Sequence, residues 1–242
     1  MSFYEREKKL INIIMQQNTI SIDELIKKMY VSKSTLRRDL IMLEKKGIIM
    51  RMHGGVMAKG QMADDTLPFV LRENEQNSVK QKIAEHAAKL VSDGCTIMLD
   101  ATTSVCSLVP YLAAFKDIIV ITSGARVSYM LGELGIKNIC TGGEMINKSF
   151  SYIGCDAVRT ISSYNADIAF FSCRGISDDG FLSDNSVKEN EVRRAMLGHS
   201  KRKVFLCNSD KIGNKYFNNL CHVSEIDDII SDIDVSDRFK KS

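Results

Sequence analysis

From residue 78 onward the chain repeats one pattern, a helical stretch followed by a short unbroken apolar run. Helices are expected over 79–92, 104–114, 125–134, 155–163 and 187–199. Each precedes a strand, at 96–99, 118–121, 138–140, 167–171 and 203–206 in turn. The first of these pairs is thus 79–92 with 96–99, and the fifth is 187–199 with 203–206. A last strand is expected at 228–231. Strands that are apolar throughout, rather than alternating, must be buried on both faces, and the helices between them supply the cover. The class that satisfies both demands is α/β, with a mostly parallel sheet. Ligands of such sheets sit beyond the carboxyl ends of the strands.

The residues that follow each strand are therefore informative. Asp100, Thr102, Thr103 and Ser104 follow the first, and Ser123 and Gly124 the second. Gly142 and Gly143 follow the third, Cys173, Arg174 and Gly175 the fourth, and Asn208 to Lys211 the fifth. Hydroxyls at a helix start suit an anion, because free amides and the helix dipole favour negative charge there. Glycines let backbone approach a ligand closely. One acid, several hydroxyls, an Arg and a Lys along one edge suit a polyhydroxylated phosphate.

The first quarter of the chain has another character. Residues 1–58 carry a net charge of +5 and the remainder −2, which points to a polyanionic partner for the first part alone. A first helix is expected over 3–17, with Leu10, Ile11 and Ile14 on its apolar face. Ser21 and Glu24 have capping-box spacing and open a second helix with Ile22, Leu25, Ile26 and Met29 inward. After a turn at Tyr30 and Val31, a third helix starts at Ser32 or Ser34 and stops at Gly47. Its Leu36, Leu40 and Leu43 share one face, while Lys33, Ser34, Arg37 and Arg38 lie off that stripe near the leading end. This is helix-turn-helix patterning with a basic second helix fit for a major groove. There an Arg can donate twice to the O6 and N7 of guanine. Residues 48–56 read as two short β segments around a glycine turn, a wing from which Arg51 and His53 are expected to reach phosphate or the minor groove.

The run VSKSTLRRDLIMLEKKGIIMRMHGGV at 31–56 resembles the N-terminal signature of the DeoR family of bacterial transcriptional regulators. The matching residues are Val31, Ser32, Ser34, Thr35, Arg37 to Leu40, Leu43, Glu44, Gly47, Arg51 and His53 to Gly55. The second part resembles the family's effector domain, through LDATTS, VITS, TGGE, the 167–175 segment, Arg193 to Met196, and Asp210 with Lys211. That domain is similar in fold to ribose-5-phosphate isomerase and in the family senses phosphorylated sugars. The resemblance implies a winged helix-turn-helix over 1–57, a linker over 58–74 and a sugar-phosphate-sensing domain over 75–242. It implies a repressor of carbohydrate-metabolism genes that binds double-stranded operator DNA through Ser32, Lys33, Ser34, Thr35, Arg37, Arg38, Arg51 and His53. In the sensing domain, Thr102, Thr103, Ser104 and Lys211 are assigned to phosphate, and Asp100, Ser123 and Arg174 to sugar hydroxyls or the carbonyl end. Gly142 and Gly143 complete the edge. Thr102, Ser123 and Asn208 stand where the family commonly has Gly, Asn and Asp.

The linker is polar and mixed, with packing expected only through Phe69 and Leu71. The seven cysteines form no CxxC pair, and several lie in or beside apolar runs, so they are expected as small buried hydrophobes rather than ligands or nucleophiles. No catalytic residue, metal ligand or cofactor is assigned. No apolar run reaches membrane-span length, and the charged N-terminus lacks a signal-peptide core, so a cytoplasmic protein without a membrane partner is expected. Helix-turn-helix proteins commonly bind paired half-sites, so a homodimer or homotetramer is expected. The competing reading is a sugar-phosphate isomerase with a DNA-binding appendage. Asp100, Glu144, Asp184 and Lys211 are its candidate acids and bases, but their spacing shows no catalytic arrangement.

Overall fold

A computed structural model describes residues 3–17, 19–46, 48–52, 54–58, 69–74, 76–236 and 238–239. The chain divides into two compact units, Met1–Glu75 and Gln76–Ser242.

In the first unit, α1 (Phe3–Gln17), β1 (Thr19–Ser21), α2 (Ile22–Met29) and α3 (Lys33–Lys45) precede the hairpin β2 (Ile49–Met52) and β3 (Gly55–Ala58). Local chemistry sets these boundaries. The Ser21 hydroxyl accepts the Glu24 amide at 3.2 Å and opens α2. Tyr30 closes it in the left-handed region at φ 53, returning its amide to the Ile26 carbonyl. The Ser32 hydroxyl accepts the Thr35 amide at 3.2 Å, so α3 begins at Ser32 rather than Ser34. The expected stop at Gly47 lies outside the described residues. Leu10, Ile11, Ile14, Leu25, Leu36, Leu40 and Leu43 close one core with Ile20, Ile49 and Val56 of the small sheet. Each such side chain contributes about 1.5–3 kcal/mol on burial. β1 pairs with β3, which makes the wing three-stranded rather than a lone hairpin. The stretch expected as a linker contributes a helix, α4 (Phe69–Asn74), which packs against α1 and buries Phe69. The Leu71 side chain lies outside the described residues.

The second unit opens with α5 (Asn77–Ala88), β4 (Thr96–Leu99), α6 (Thr103–Cys106), α7 (Val109–Leu112) and β5 (Ile119–Thr122). It continues through α8 (Ala125–Glu133), β6 (Asn138–Cys140), β7 (Glu144–Ile146), β8 (Ser151–Ile153), α9 (Gly154–Ser162) and β9 (Ala166–Phe171). It ends with β10 (Gly175–Ile176), β11 (Phe181–Asp184), α10 (Val187–Gly198), β12 (Ser200–Cys207), β13 (Asn218–His222) and β14 (Asp228–Ser231). Six strands form one sheet in the order β14-β12-β9-β4-β5-β6, and every neighbouring pair is parallel. The expected fold class is the one observed.

Two features depart from the expected pattern. The helix expected over 104–114 is two short helices, because Pro110 at the start of α7 has no amide to carry the first hydrogen-bond ladder onward. The three-stranded antiparallel sheet β10-β11-β13 and the hairpin β7-β8 are additions to the expected elements. Their strands are short and carry polar residues, so they lack the unbroken apolar run that marks the main sheet. Parallel strands all end on one side, which brings residues 100–104, 123–124, 141–143, 172–174 and 208–211 to a common edge.

Candidate DNA-reading helix and ligand edge

On α3 the leucines and Asp39 face inward, while Ser32, Lys33, Ser34, Arg37 and Arg38 are exposed and Thr35 is half-buried. Arg37 and Arg38 meet no acid among the described residues. The helix is anchored from behind by more than leucines. Arg6 of α1 donates Nε at 2.7 Å and Nη2 at 3.2 Å to the buried Asp39 carboxylate. Lys46 pairs with the buried Glu7. The Ser32 hydroxyl is occupied in capping and lies 3.0 Å from Ser34 Oγ and 2.9 Å from Thr35 Oγ1. Arg51 is bonded to Glu44 of α3, Nε to Oε2 at 2.7 Å and amide to Oε1 at 3.3 Å. These bonds hold the Glu44 carboxyl below its ordinary value. His53 lies outside the described residues.

At the sheet edge, Asp100 is 1% exposed and its carboxylate is fully engaged. Oδ1 accepts the Thr102 amide at 2.8 Å and hydroxyl at 2.6 Å. Oδ2 accepts the Ser172 amide at 3.0 Å and Arg193 Nε at 3.2 Å. The Thr102 hydroxyl also accepts the Val105 amide at 3.4 Å, capping α6. A helix this short brings little dipole to an anion, so the first-turn amides are what it can offer. Thr103, Ser104 and Ser123 are buried. Gly142 and Gly143 both have positive φ, at 65° and 106°. At Gly143 a Cβ would stand 2.7 Å from the Ile153 carbonyl, so packing against β8 already requires glycine there.

Arg193 is the residue that the strand-end reading missed. It lies on α10, buried, and donates Nη1 to Asp184 at 3.0 Å and to Asn190 at 2.9 Å while its Nε holds Asp100. Burial alone would lower its pKa, but the Asp184 and Asp100 carboxylates outweigh that and raise it. Arg174 approaches the other oxygen of Asp184 at 3.4 Å and lies over the Tyr216 ring. Asp100, Arg193, Asp184 and Arg174 thus form one chain of charge beneath the edge. A signal for Arg193 exists in the sequence. Asn190, Arg193, Met196 and Leu197 recur at helical spacing and all are buried, so a charge stands on the apolar face of α10.

Burial would raise the Asp184 pKa, but Arg193 and Arg174 carry it below the ordinary carboxylate value. A depressed folded pKa stabilises above the unfolded value and is lost as pH falls through the folded one. The second unit should therefore lose stability on acidification from about pH 4 downward. Urea unfolding at pH 3 and pH 6 checks this, and an Asp184→Asn variant should show a weaker pH dependence.

Lys211 closes the edge. It lies in a 3-10 turn after β12, and its Nζ donates to Ser172 Oγ at 2.6 Å, which donates in turn to the Leu206 carbonyl at 2.6 Å. No carboxylate pairs with this ammonium among the described residues, and burial lowers its pKa. The cysteines around it are inert, since burial pushes Cys173 up to about 12 and Cys207 up to about 11. Asp100, Thr102, Arg174 and Lys211 are linked through Ser172, Arg193 and Asp184. Ser123, Gly142 and Gly143 share the edge but stand apart from that bonded network. Among the described residues no group of His, Cys, Asp and Glu is placed to hold a metal ion, and no helix is long and apolar enough to cross a membrane.

Comparison with known proteins accounts for both units. The family model for the DeoR C terminal sensor domain matches residues 75–233, and that for the DeoR-like helix-turn-helix domain matches residues 6–61. The HTH-type transcriptional regulator GolR of Listeria innocua serovar 6a is 32% identical over 232 residues, covering 95% of this chain and 90% of that protein. The glycerol-3-phosphate regulon repressor of Escherichia coli (strain K12) is 25% identical, over 94% of this chain and 90% of its own. Among solved structures, eIF2B delta from Chaetomium thermophilum superposes with a TM-score of 0.51 at 19% identity, over 68% of this chain and 59% of that one, a likeness of fold. With a helix-turn-helix in one unit, a parallel sheet in the other and both family models matched, the chain belongs to the DeoR family of transcriptional regulators and is not an enzyme.

Proposed function

We propose that this regulator is a cytoplasmic repressor of carbohydrate-metabolism genes, whose grip on double-stranded operator DNA is controlled by a phosphorylated sugar. The observation that carries the reading is Lys211, a half-buried ammonium at the carboxyl edge of the sheet with a hydroxyl for a partner and, among the described residues, no carboxylate in ion-pair contact. Burying a cation without an anion is costly, and a phosphate arriving there offsets that cost. Relatives named as repressors of the glycerol-3-phosphate regulon and of the lactose phosphotransferase system fit a phosphorylated ligand. Residues 1–57 are the DNA-binding part, with α4 packed onto it, and 75–242 the sensor. Lys33, Ser34, Thr35, Arg37 and Arg38 face DNA. Thr102, Thr103, Ser104 and Lys211 hold phosphate, with Ser123 and Arg174 toward the sugar. Asp100 serves by holding the Thr102 loop and Arg193 in place. A homodimer or homotetramer presents two reading helices to paired half-sites.

Lys211→Ala tests the assignment. The variant should bind operator DNA as the parent does and fail to release it when the active sugar phosphate is added, by fluorescence anisotropy. It should also lose the thermal stabilisation that a ligand of the folded state confers. Release at the same ligand concentration as the parent would remove Lys211 from the phosphate site.

A further inference from the structure

We infer that Glu44 is a positioning residue for the wing, and that Arg51 is a strut between wing and reading helix rather than a phosphate contact. Strand side chains alternate, so β2 sends Ile49 and Arg51 to one face and Met50 and Met52 to the other. Ile49 is buried, and so is Val56, which stands opposite Arg51 in the ladder. Both belong to the core that contains Leu36, Leu40 and Leu43 of α3. Met50 and Met52, on the outer face, are 44% and 47% exposed. The Arg51 side chain therefore leaves the strand on the side of the helix.

There the Glu44 carboxylate takes two donors from one residue, the Arg51 amide and its Nε. Gripping strand backbone and side chain together fixes how β2 lies on α3, which a single bond to a flexible tip does not. Glu44 lies two turns beyond Arg37, on the same stripe of α3. An unpaired acid on that stripe would repel the phosphate backbone, and the guanidinium neutralises it. The two side chains are 39% and 37% exposed, so solvent screening leaves the pair little weight in the stability of the fold. What it sets is the direction in which the wing carries its turn, where Gly54 sits at φ 80.

The test uses the full chain and a duplex that it has selected from random sequence, titrated by fluorescence anisotropy at several salt concentrations. Glu44→Gln keeps the shape and removes the charge that grips Arg51. Binding should weaken about tenfold, although a negative charge has left the DNA face. Arg51→Ala should weaken it similarly, and the double variant should be no worse than either single one. The salt slope of the double variant, which leaves no bare carboxylate behind, should stay at the parent's value, whereas removing a cation that neutralises one phosphate lowers it by about 0.9. Arg51→Lys, which keeps the charge and loses the Nε donor that meets Glu44, should behave like Arg51→Ala. Tighter binding by Glu44→Gln with a steeper slope, additive losses in the double variant, or parental affinity in Arg51→Lys would each overturn the strut. The inference rests on α3 being the reading helix, so Arg37→Ala and Arg38→Ala are measured alongside. If they weaken binding and Glu44→Gln does not, the strut alone fails. If neither arginine matters, the docking fails and takes the strut with it.

Discussion

Replacing Arg193 with alanine should destabilise the second unit by about 3–5 kcal/mol, the range for stripping one partner from a buried ion pair. The reason is what stays behind. Asp100 and Asp184 are 1% and 6% exposed, and both lose the Arg193 guanidinium at once, Asp184 keeping Arg174 at 3.4 Å. Asn190 loses its donor as well. Asp100 keeps the Thr102 and Ser172 amides, so its loop is loosened rather than released. For a unit of this size the melting temperature should fall by roughly 6–20 °C. Arg159→Ala is the comparison. Its pair with Asp156 is 74% and 65% exposed, and losing it should cost less than about 1 kcal/mol. Thermal unfolding of both variants decides the point. Equal melting temperatures for Arg193→Ala and Arg159→Ala would mean that the buried network contributes nothing to stability.

Arg37→Ala and Arg38→Ala should each weaken operator binding by about 1–3 kcal/mol while leaving the protein folded. Both side chains are exposed on the leading half of α3 and meet no acid among the described residues. Truncating them therefore breaks no internal ion pair. The leucine face and the Arg6–Asp39 pair keep the helix in place without them. Removing an arginine that reads a base should also relax sequence preference at one position. Removing one that holds phosphate should instead weaken all sequences alike and flatten the salt slope. Anisotropy titrations against matched and mismatched duplexes separate the two roles. Unchanged affinity and preference in both variants would contradict the docking of α3.

The elements that are legible in sequence are those whose causes are local. Ser21 and Ser32 cap the helices that their spacing announces, because a cap needs only the next turn. Strands at 96–99, 138–140 and 228–231 appear with the expected bounds, the first largely buried in the middle of the sheet and the other two half-buried at its edges, each marked by a short apolar run. The common edge follows from their parallel order. What is not legible depends on distant partners. Arg193 holds Asp100 from 93 positions along the chain, and local patterning does not say which carboxylates will meet it. Arg51 reads as a free cation until the fold sets it against Glu44. Asp100 reads as a sugar contact, and only the assembled edge shows both of its oxygens occupied.

In the proposed mechanism a phosphate bound at the Lys211 edge controls a helix that reads DNA. The most direct measurement titrates the full chain, bound to its selected duplex, with phosphorylated sugars and with the same sugars lacking phosphate. At least one phosphorylated sugar should release the duplex, its unphosphorylated counterpart should not, and Lys211→Ala should abolish the release. Release by the unphosphorylated sugar, or release undiminished in Lys211→Ala, would contradict the mechanism.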